Sequence, residues 1–116
     1  MANELVLVID DELQIRRVLR HAIEGGIGRV IEASTGRAGI DAAASEQPAL
    51  VILDLALPDM EGVQVCRAIR SWSSMPIIVL SARGAAQEKA ELLDAGADDY
   101  VAKPFNTIEL QARVRA

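Results

Sequence analysis

Five positions in this 116-residue sequence carry groups that do chemistry when brought together: the acids Asp10 and Asp11, a third acid at Asp54, the hydroxyl of Ser81 and the amine of Lys103. Each stands just past a short apolar run. Asp10-Asp11-Glu12 follows Leu5 to Ile9, Asp54 follows Leu50 to Leu53, Ser81-Ala82 follows Ile77 to Leu80, and Lys103-Pro104 follows Tyr100 to Ala102. In an open doubly wound sheet, ligands bind beyond the carboxyl ends of the strands, so these are the positions to read. Two unit charges about 4 Å apart repel by about 4 kcal/mol at an effective dielectric of about 20. Asp10, Asp11 and Asp54 sharing one cleft therefore call for cations, and a divalent ion together with Lys103 balances them. Hard carboxylate oxygens suit Mg²⁺, and no His or Cys is placed to favour zinc. A carboxylate beside Mg²⁺ and a lysine suits phosphoryl acceptance, because aspartyl-phosphate formation is a known form of nucleophilic catalysis. Metal and amine would screen the incoming phosphoryl oxygens so that an anion can attack an anion.

The elements that must position these groups are legible in the apolar pattern. Leu5 to Ile9, Leu50 to Leu53 and Ile77 to Leu80 are solid, β-branched-rich runs, as in parallel strands covered on both faces. Arg29 to Ala33 and Tyr100 to Ala102 are weaker strand candidates. Between them the period turns helical: Ile15, Val18, Leu19, Ala22 and Ile23 form one stripe, and Val65, Ala68, Ile69 and Trp72 another. Gly25-Gly26 ends the first helix, Gly36 opens the second, Pro48 precedes the third strand and Gly96 caps the fourth helix. Asn106, three residues before Glu109, has the capping-box spacing that opens a fifth. Five strands alternating with five helices predict an α/β single sheet with right-handed crossovers.

Composition excludes several classes. Half the residues (51%) are hydrophobic, enough to build a core and argue against disorder, and the length fits one domain. No apolar run approaches the roughly 20 residues of a membrane span. The acidic start Met1-Ala2-Asn3-Glu4 does not resemble a signal peptide. Cys66 is the single cysteine, so a disulfide framework is excluded and a cytoplasmic setting is the default. Acidic side chains outnumber basic ones 17 to 12, and with three aromatics this argues against nucleic-acid binding by the chain alone. The helical pattern still runs at Ala116, as in a piece of something longer.

Each candidate also has a plainer reading. Asp10-Asp11 could cap the first helix, Ser81 could be an ordinary residue at a helix start, Lys103 a solvated lysine and Tyr100 core filler. Asp59 and Glu61 read as loop and helix-start residues, His21 and the Arg16, Arg17, Arg20 face as surface, and Cys66 as a small buried or half-buried hydrophobe. Convergence of acid, acid, hydroxyl and amine on one sheet edge is what lifts the set above these readings.

The set Asp10-Asp11, Asp54 within Val51-Ile52-Leu53-Asp54-Leu55-Ala56-Leu57-Pro58, Ser81-Ala82 and Lys103-Pro104 resembles the receiver domain of two-component response regulators, over essentially the whole of residues 1–116. Phe105 after Lys103-Pro104, with Ala95-Gly96-Ala97-Asp98-Asp99-Tyr100, is similar to the OmpR/PhoB subfamily. Ile69 to Ser73 running into Pro76 to Arg83, with Glu109 to Arg113, is similar to its potassium-responsive transcription regulators.

The resemblance implies a flavodoxin-like (CheY-like) sheet of order 2-1-3-4-5. It makes Asp54 the acceptor of a phosphoryl group from the histidine of a sensor kinase. Asp11 would hold Mg²⁺ directly and Asp10 largely through water, with Asp54 and the Ala56 carbonyl as further ligands. Lys103 and Ser81 would engage the phosphoryl group, and Tyr100 would turn inward as Ser81 moves. A homodimer would form through helix 4, strand 5 and helix 5, pairing Lys89 with Glu109 and Asp98 with Arg113, while Asp99 has its usual partner beyond Ala116. The first helix, with Arg16, Arg17 and Arg20, would dock the kinase. DNA binding would belong to a C-terminal domain outside this chain, and the receiver would not turn over as an enzyme. The family usually has a cis bond before the equivalent proline, leaving either isomer open at Lys103-Pro104. Ser81 replaces the commoner threonine, and Ala56 and Arg83 occupy positions that tune dephosphorylation.

Three rival readings fit the residues less well. A flavin-binding module would need a glycine- and hydroxyl-rich phosphate loop where Asp10-Asp11-Glu12 stands. A haloacid-dehalogenase-type phosphatase would need a second Asp at position 56, which is Ala. A degenerate receiver serving only as a docking module would lack the full acid, hydroxyl and lysine set.

Overall fold

The computed structural model describes residues 4–82 and 86–115. The readings that rest on Met1 to Asn3, on Arg83 and on Ala116 lie outside the described residues. The order is β1 (Glu4–Ile9), α1 (Leu13–Glu24), β2 (Gly28–Ala33), α2 (Gly36–Glu46), β3 (Leu50–Asp54), α3 (Gly62–Arg70), β4 (Ile77–Ser81), α4 (Ala86–Asp94), β5 (Asp99–Ala102) and α5 (Thr107–Arg115). The strands form one parallel sheet in the order β2-β1-β3-β4-β5, as expected.

The solid apolar runs are central strands because both of their faces are covered. Alternate residues point to opposite faces. Leu7, Ile9, Val51, Leu53, Ile77 and Val79 pack with Ala43 of α2, Val65, Cys66 and Ile69 of α3 and Leu92 of α4. Val6, Val8, Ile52, Ile78 and Leu80 pack on the other face with Leu19 and Ile23 of α1 and Leu110 of α5. Cys66 is fully buried, where burial pushes its thiol pKa up.

Two expected stripes are narrower than their spacing suggests. Val18 is 45% exposed while Leu19, Ala22 and Ile23 of the same helix are buried. Trp72 is 42% exposed because α3 ends first: the Ser71 hydroxyl donates to the Ala68 carbonyl at 2.6 Å, and the chain turns away. The other punctuation holds. Gly25 caps α1, Gly96 adopts φ +105° beyond α4, and Asn106 Oδ1 accepts from the Ile108 and Glu109 amides at 2.9 and 3.1 Å. The Lys103-Pro104 peptide bond is cis.

Candidate functional site

Parallel strands deliver their carboxyl ends to one edge, and four of the five end in the predicted groups. Asp10 directly follows β1, its amide donating to the Ala33 carbonyl at 3.0 Å. Asp54 ends β3 and Ser81 ends β4, adjacent strands in register through Asp54 and Leu80. Lys103 follows β5, its amide donating to the Ser81 carbonyl at 2.7 Å. Among the described residues, Asp10, Asp54 and Ser81 are the buried polar side chains in an otherwise apolar interior. Charged groups are rarely this buried unless paired.

Lys103 is the pairing cation. Its Nζ lies 3.0 Å from Asp54 Oδ1 and 3.5 Å from Asp10 Oδ2. Burial alone would lower the pKa of this amine, but the hydrogen bond to Asp54 and the charges of Asp10 and Asp54 outweigh it and raise it. The Asp10 carboxyl is pushed above its ordinary value, chiefly by burial. The Glu12 amide, donating to Oδ1 at 2.9 Å, opposes that shift, Asp54 adds to it and Lys103 offsets part of it. Asp10 thus makes a local turn bond of the kind the capping reading expects, yet its other oxygen faces Lys103. Asp11 is exposed, beside it.

The carboxylates of Asp10, Asp11 and Glu12 each place an oxygen within 4.8 Å of the others, a spacing that could hold a metal ion. The donor set is all hard oxygen, and Lys103 alone leaves the acids around it in excess of positive charge, so the residues fit a divalent ion such as Mg²⁺. Asp11 and the exposed Ala56 open onto a cleft of about 810 Å³ between the loop after β3 and α4, which Leu57, Met60, Glu88 and Leu92 also line.

That loop is held tightly. The Gly62 amide donates to the Leu55 carbonyl at 3.2 Å, and a Cβ at Gly62 would stand 2.8 Å from Leu55 Cα and 3.1 Å from the Asp54 carbonyl oxygen. Only glycine lets α3 start this close to the acid. Asp59 accepts from the Gly36 and Arg37 amides at 2.7 and 2.9 Å, which hold its carboxyl below the usual range, and so caps α2 from 22 residues away. Glu61 forms a reciprocal capping box with Gln64. Both are loop and helix-start residues, as read.

Arg16 departs from its surface reading. Its guanidinium donates to the Asp10 carbonyl at 2.8 Å and to Glu32 at 2.8 Å, so it braces the turn carrying the acids against β2.

Tyr100 is half-buried, and its hydroxyl lies 3.4 Å from Glu88 Oε1; the Ser81 hydroxyl donates to that same oxygen at 3.0 Å. Lys89 Nζ stands 5.5 Å from the centroid of the Tyr100 ring. Glu88 was missed in the sequence. The signal available was an acid in the first turn of the helix that follows Ser81.

The α4-β5-α5 face carries ion pairs within the chain. Arg70 takes Asp98 at 2.7 Å while its other nitrogens donate to the Gly96 and Met75 carbonyls at 2.9 and 2.6 Å, and the Ile77 amide donates to Asp98 at 2.8 Å. Arg113 meets Asp99 at 2.9 Å and Glu109 at 3.3 Å within the same chain, whereas the expected Lys89–Glu109 and Asp98–Arg113 pairs run between two copies.

The response regulator receiver domain model matches residues 6–115. KdpE of Escherichia coli, a KDP operon transcriptional regulatory protein, is 54% identical over 95% of this chain and 49% of its own length. The transcriptional regulatory protein KdpE of Mycobacterium tuberculosis is 54% identical over 97% of this chain and 50% of its own. The chain thus spans about half the length of the curated relatives it matches. Among solved structures, the Francisella response regulator 1452 receiver domain superposes with TM-score 0.92 at 29% identity, covering 97% of this chain and 94% of that one.

Proposed function

The chain belongs to the response regulator receiver family, and on that premise we propose that Asp54 accepts a phosphoryl group from the histidine of a sensor kinase. The observation that carries this reading is the buried Asp54 carboxylate at the strand edge with Lys103 Nζ 3.0 Å from one of its oxygens. The other oxygen attacks phosphorus. The Asp54 O–P bond forms as the P–N bond to the kinase histidine breaks, and the departing nitrogen keeps the electron pair and takes up a proton. Lys103 follows the charge onto the phosphoryl oxygens, and Ser81 supplies a hydroxyl donor. Asp10, Asp11, Asp54 and the Ala56 carbonyl would hold Mg²⁺. Bound there, the ion supplies electrostatic screening of the transferred group. Asp54 itself ends the step phosphorylated rather than regenerated, so the receiver is an acceptor and not a turnover enzyme.

Phosphorylation then draws Ser81 and Tyr100 inward and favours a homodimer through α4, β5 and α5, with Lys89, Asp98, Asp99, Glu109 and Arg113 on that face. Within a longer parent, dimerisation would pair DNA-binding domains and control transcription, and the likeness to KdpE supports potassium-transport genes as the target. The compartment under this reading is the cytoplasm, a reducing setting that suits the single, buried Cys66. Among the described residues no helix is long and apolar enough to cross a membrane. The test is phosphotransfer from a labelled histidine kinase. Label should pass to the wild-type chain, and none to Asp54→Asn. Equal labelling of the two would overturn the assignment.

A further inference from the structure

Ser81 is 2% exposed at the end of β4, beside the strand that carries Asp54, yet its hydroxyl donates toward α4. It donates to Glu88 Oε1 at 3.0 Å, the same oxygen that the Tyr100 hydroxyl approaches at 3.4 Å. One carboxylate oxygen thus gathers two hydroxyls from neighbouring strands. Lys89, the next residue, sets its ammonium over the Tyr100 ring.

A serine hydroxyl has one proton to give. It can serve Glu88 or a phosphoryl oxygen on Asp54, and not both. Resting on the reading of Asp54 as acceptor and of Ser81 and Tyr100 as its switch groups, we propose that Glu88 is the positioning residue that holds both hydroxyls in the unphosphorylated arrangement and is displaced by the phosphoryl group. Both competitors are anions facing one cleft, since Glu88 lines the space that Asp11 and Ala56 open onto. A phosphoryl group on Asp54 therefore takes the Ser81 proton and also repels the carboxylate that held it. Tyr100 then loses its contact with Glu88 together with Ser81. The first turn of α4 is freed at the residue next to Lys89, which links the acid site to the α4 face without a separate relay.

Tyr100 is the single tyrosine, so a chain labelled with 3-fluorotyrosine carries one ring probe for fluorine NMR. Wild type is recorded before and after acetyl phosphate with Mg²⁺, intact mass reporting acceptance in parallel. Loss of a hydrogen bond to a charged acceptor shifts such a balance by about tenfold. In the unphosphorylated state, Glu88→Ala should move the signal toward its phosphorylated position, with about a tenfold larger inward population. The shape-preserving Glu88→Gln should fall between. In a Ser81→Ala background the effect of Glu88→Ala should shrink to a small fraction of its size, which a general loosening of α4 would not produce. If wild type gains mass and its signal moves, but Glu88→Ala and Glu88→Gln leave the unphosphorylated signal in place, the role of Glu88 is overturned and the acceptor reading stands. An undiminished effect without the Ser81 hydroxyl overturns it equally. If wild type neither gains mass nor moves, both readings fall.

Discussion

Replacing Lys103 by methionine keeps the aliphatic stem and deletes the ammonium between Asp10 and Asp54. Those carboxylate oxygens lie 3.5 and 3.0 Å from Nζ. They are therefore no farther apart than about 6.5 Å, where two unit charges repel by about 2.5 kcal/mol at an effective dielectric of about 20. Asp10 is 1% exposed and Asp54 4%, so little solvent screens them. Deleting one partner of a buried ion pair costs about 3–5 kcal/mol. Because 15% of the Lys103 side chain remains accessible, the lower end applies, about 3 kcal/mol. The assay is urea unfolding in EDTA at pH 7. The sign of its pH dependence is fixed. Without the ammonium, the Asp10 carboxyl, already raised by burial, loses the cation that offsets part of that rise, so the variant gains stability as pH falls toward the carboxylate range. Its deficit against wild type should narrow at pH 5 and again with millimolar Mg²⁺. In wild type, the raised Lys103 pKa contributes stability at all pH values below the ordinary lysine range, lost only as pH rises through the folded value. A loss under about 1 kcal/mol at pH 7, or a deficit equal in size at pH 5 and with Mg²⁺, would refute the charge balance.

Asp10→Asn should raise the melting temperature at neutral pH without metal, because the raised pKa of Asp10 means that its ionised form opposes folding above the carboxylate range; the same change should abolish stabilisation by Mg²⁺ in a thermal melt. Gly62→Ala should cost about 1–3 kcal/mol in chemical unfolding and slow phosphoryl acceptance, since its Cβ would press on Leu55 and the Asp54 carbonyl. Arg70→Ala should cost about 2 kcal/mol by releasing Asp98 and the Gly96 and Met75 carbonyls, read by hydrogen exchange at the Ile77 and Asp98 amides.

Strand identity and the edge residues were legible because a parallel sheet writes itself as solid apolar runs whose next residue stands at the ligand edge; the sheet order came from the family resemblance. Asp10, Asp54, Ser81 and Lys103 all followed from that rule. Edges of elements were less so. Glu4 and Asp99 are polar yet join strands, since register pairs them with Gly28 and Ile78. What stayed hidden was contact between distant segments. Asp59 caps a helix 22 residues before it, Arg70 reaches Asp98 across the sheet edge, and Arg16 turns inward to the Asp10 carbonyl. None of these leaves a local pattern, because each depends on a side chain meeting a group that only the fold brings near. Glu88 was hidden for a related reason: an acid in the first turn of a helix ordinarily serves the helix dipole, and nothing local marks one that serves two hydroxyls.

The central claim is that Asp54 accepts the phosphoryl group with help from a divalent ion and Lys103. Its most direct test is the intact mass after acetyl phosphate, with Mg²⁺ or EDTA, for wild type and Asp54→Asn. The account predicts a single phosphoryl gain that requires both Mg²⁺ and Asp54. The same gain in Asp54→Asn, or in EDTA, would contradict it.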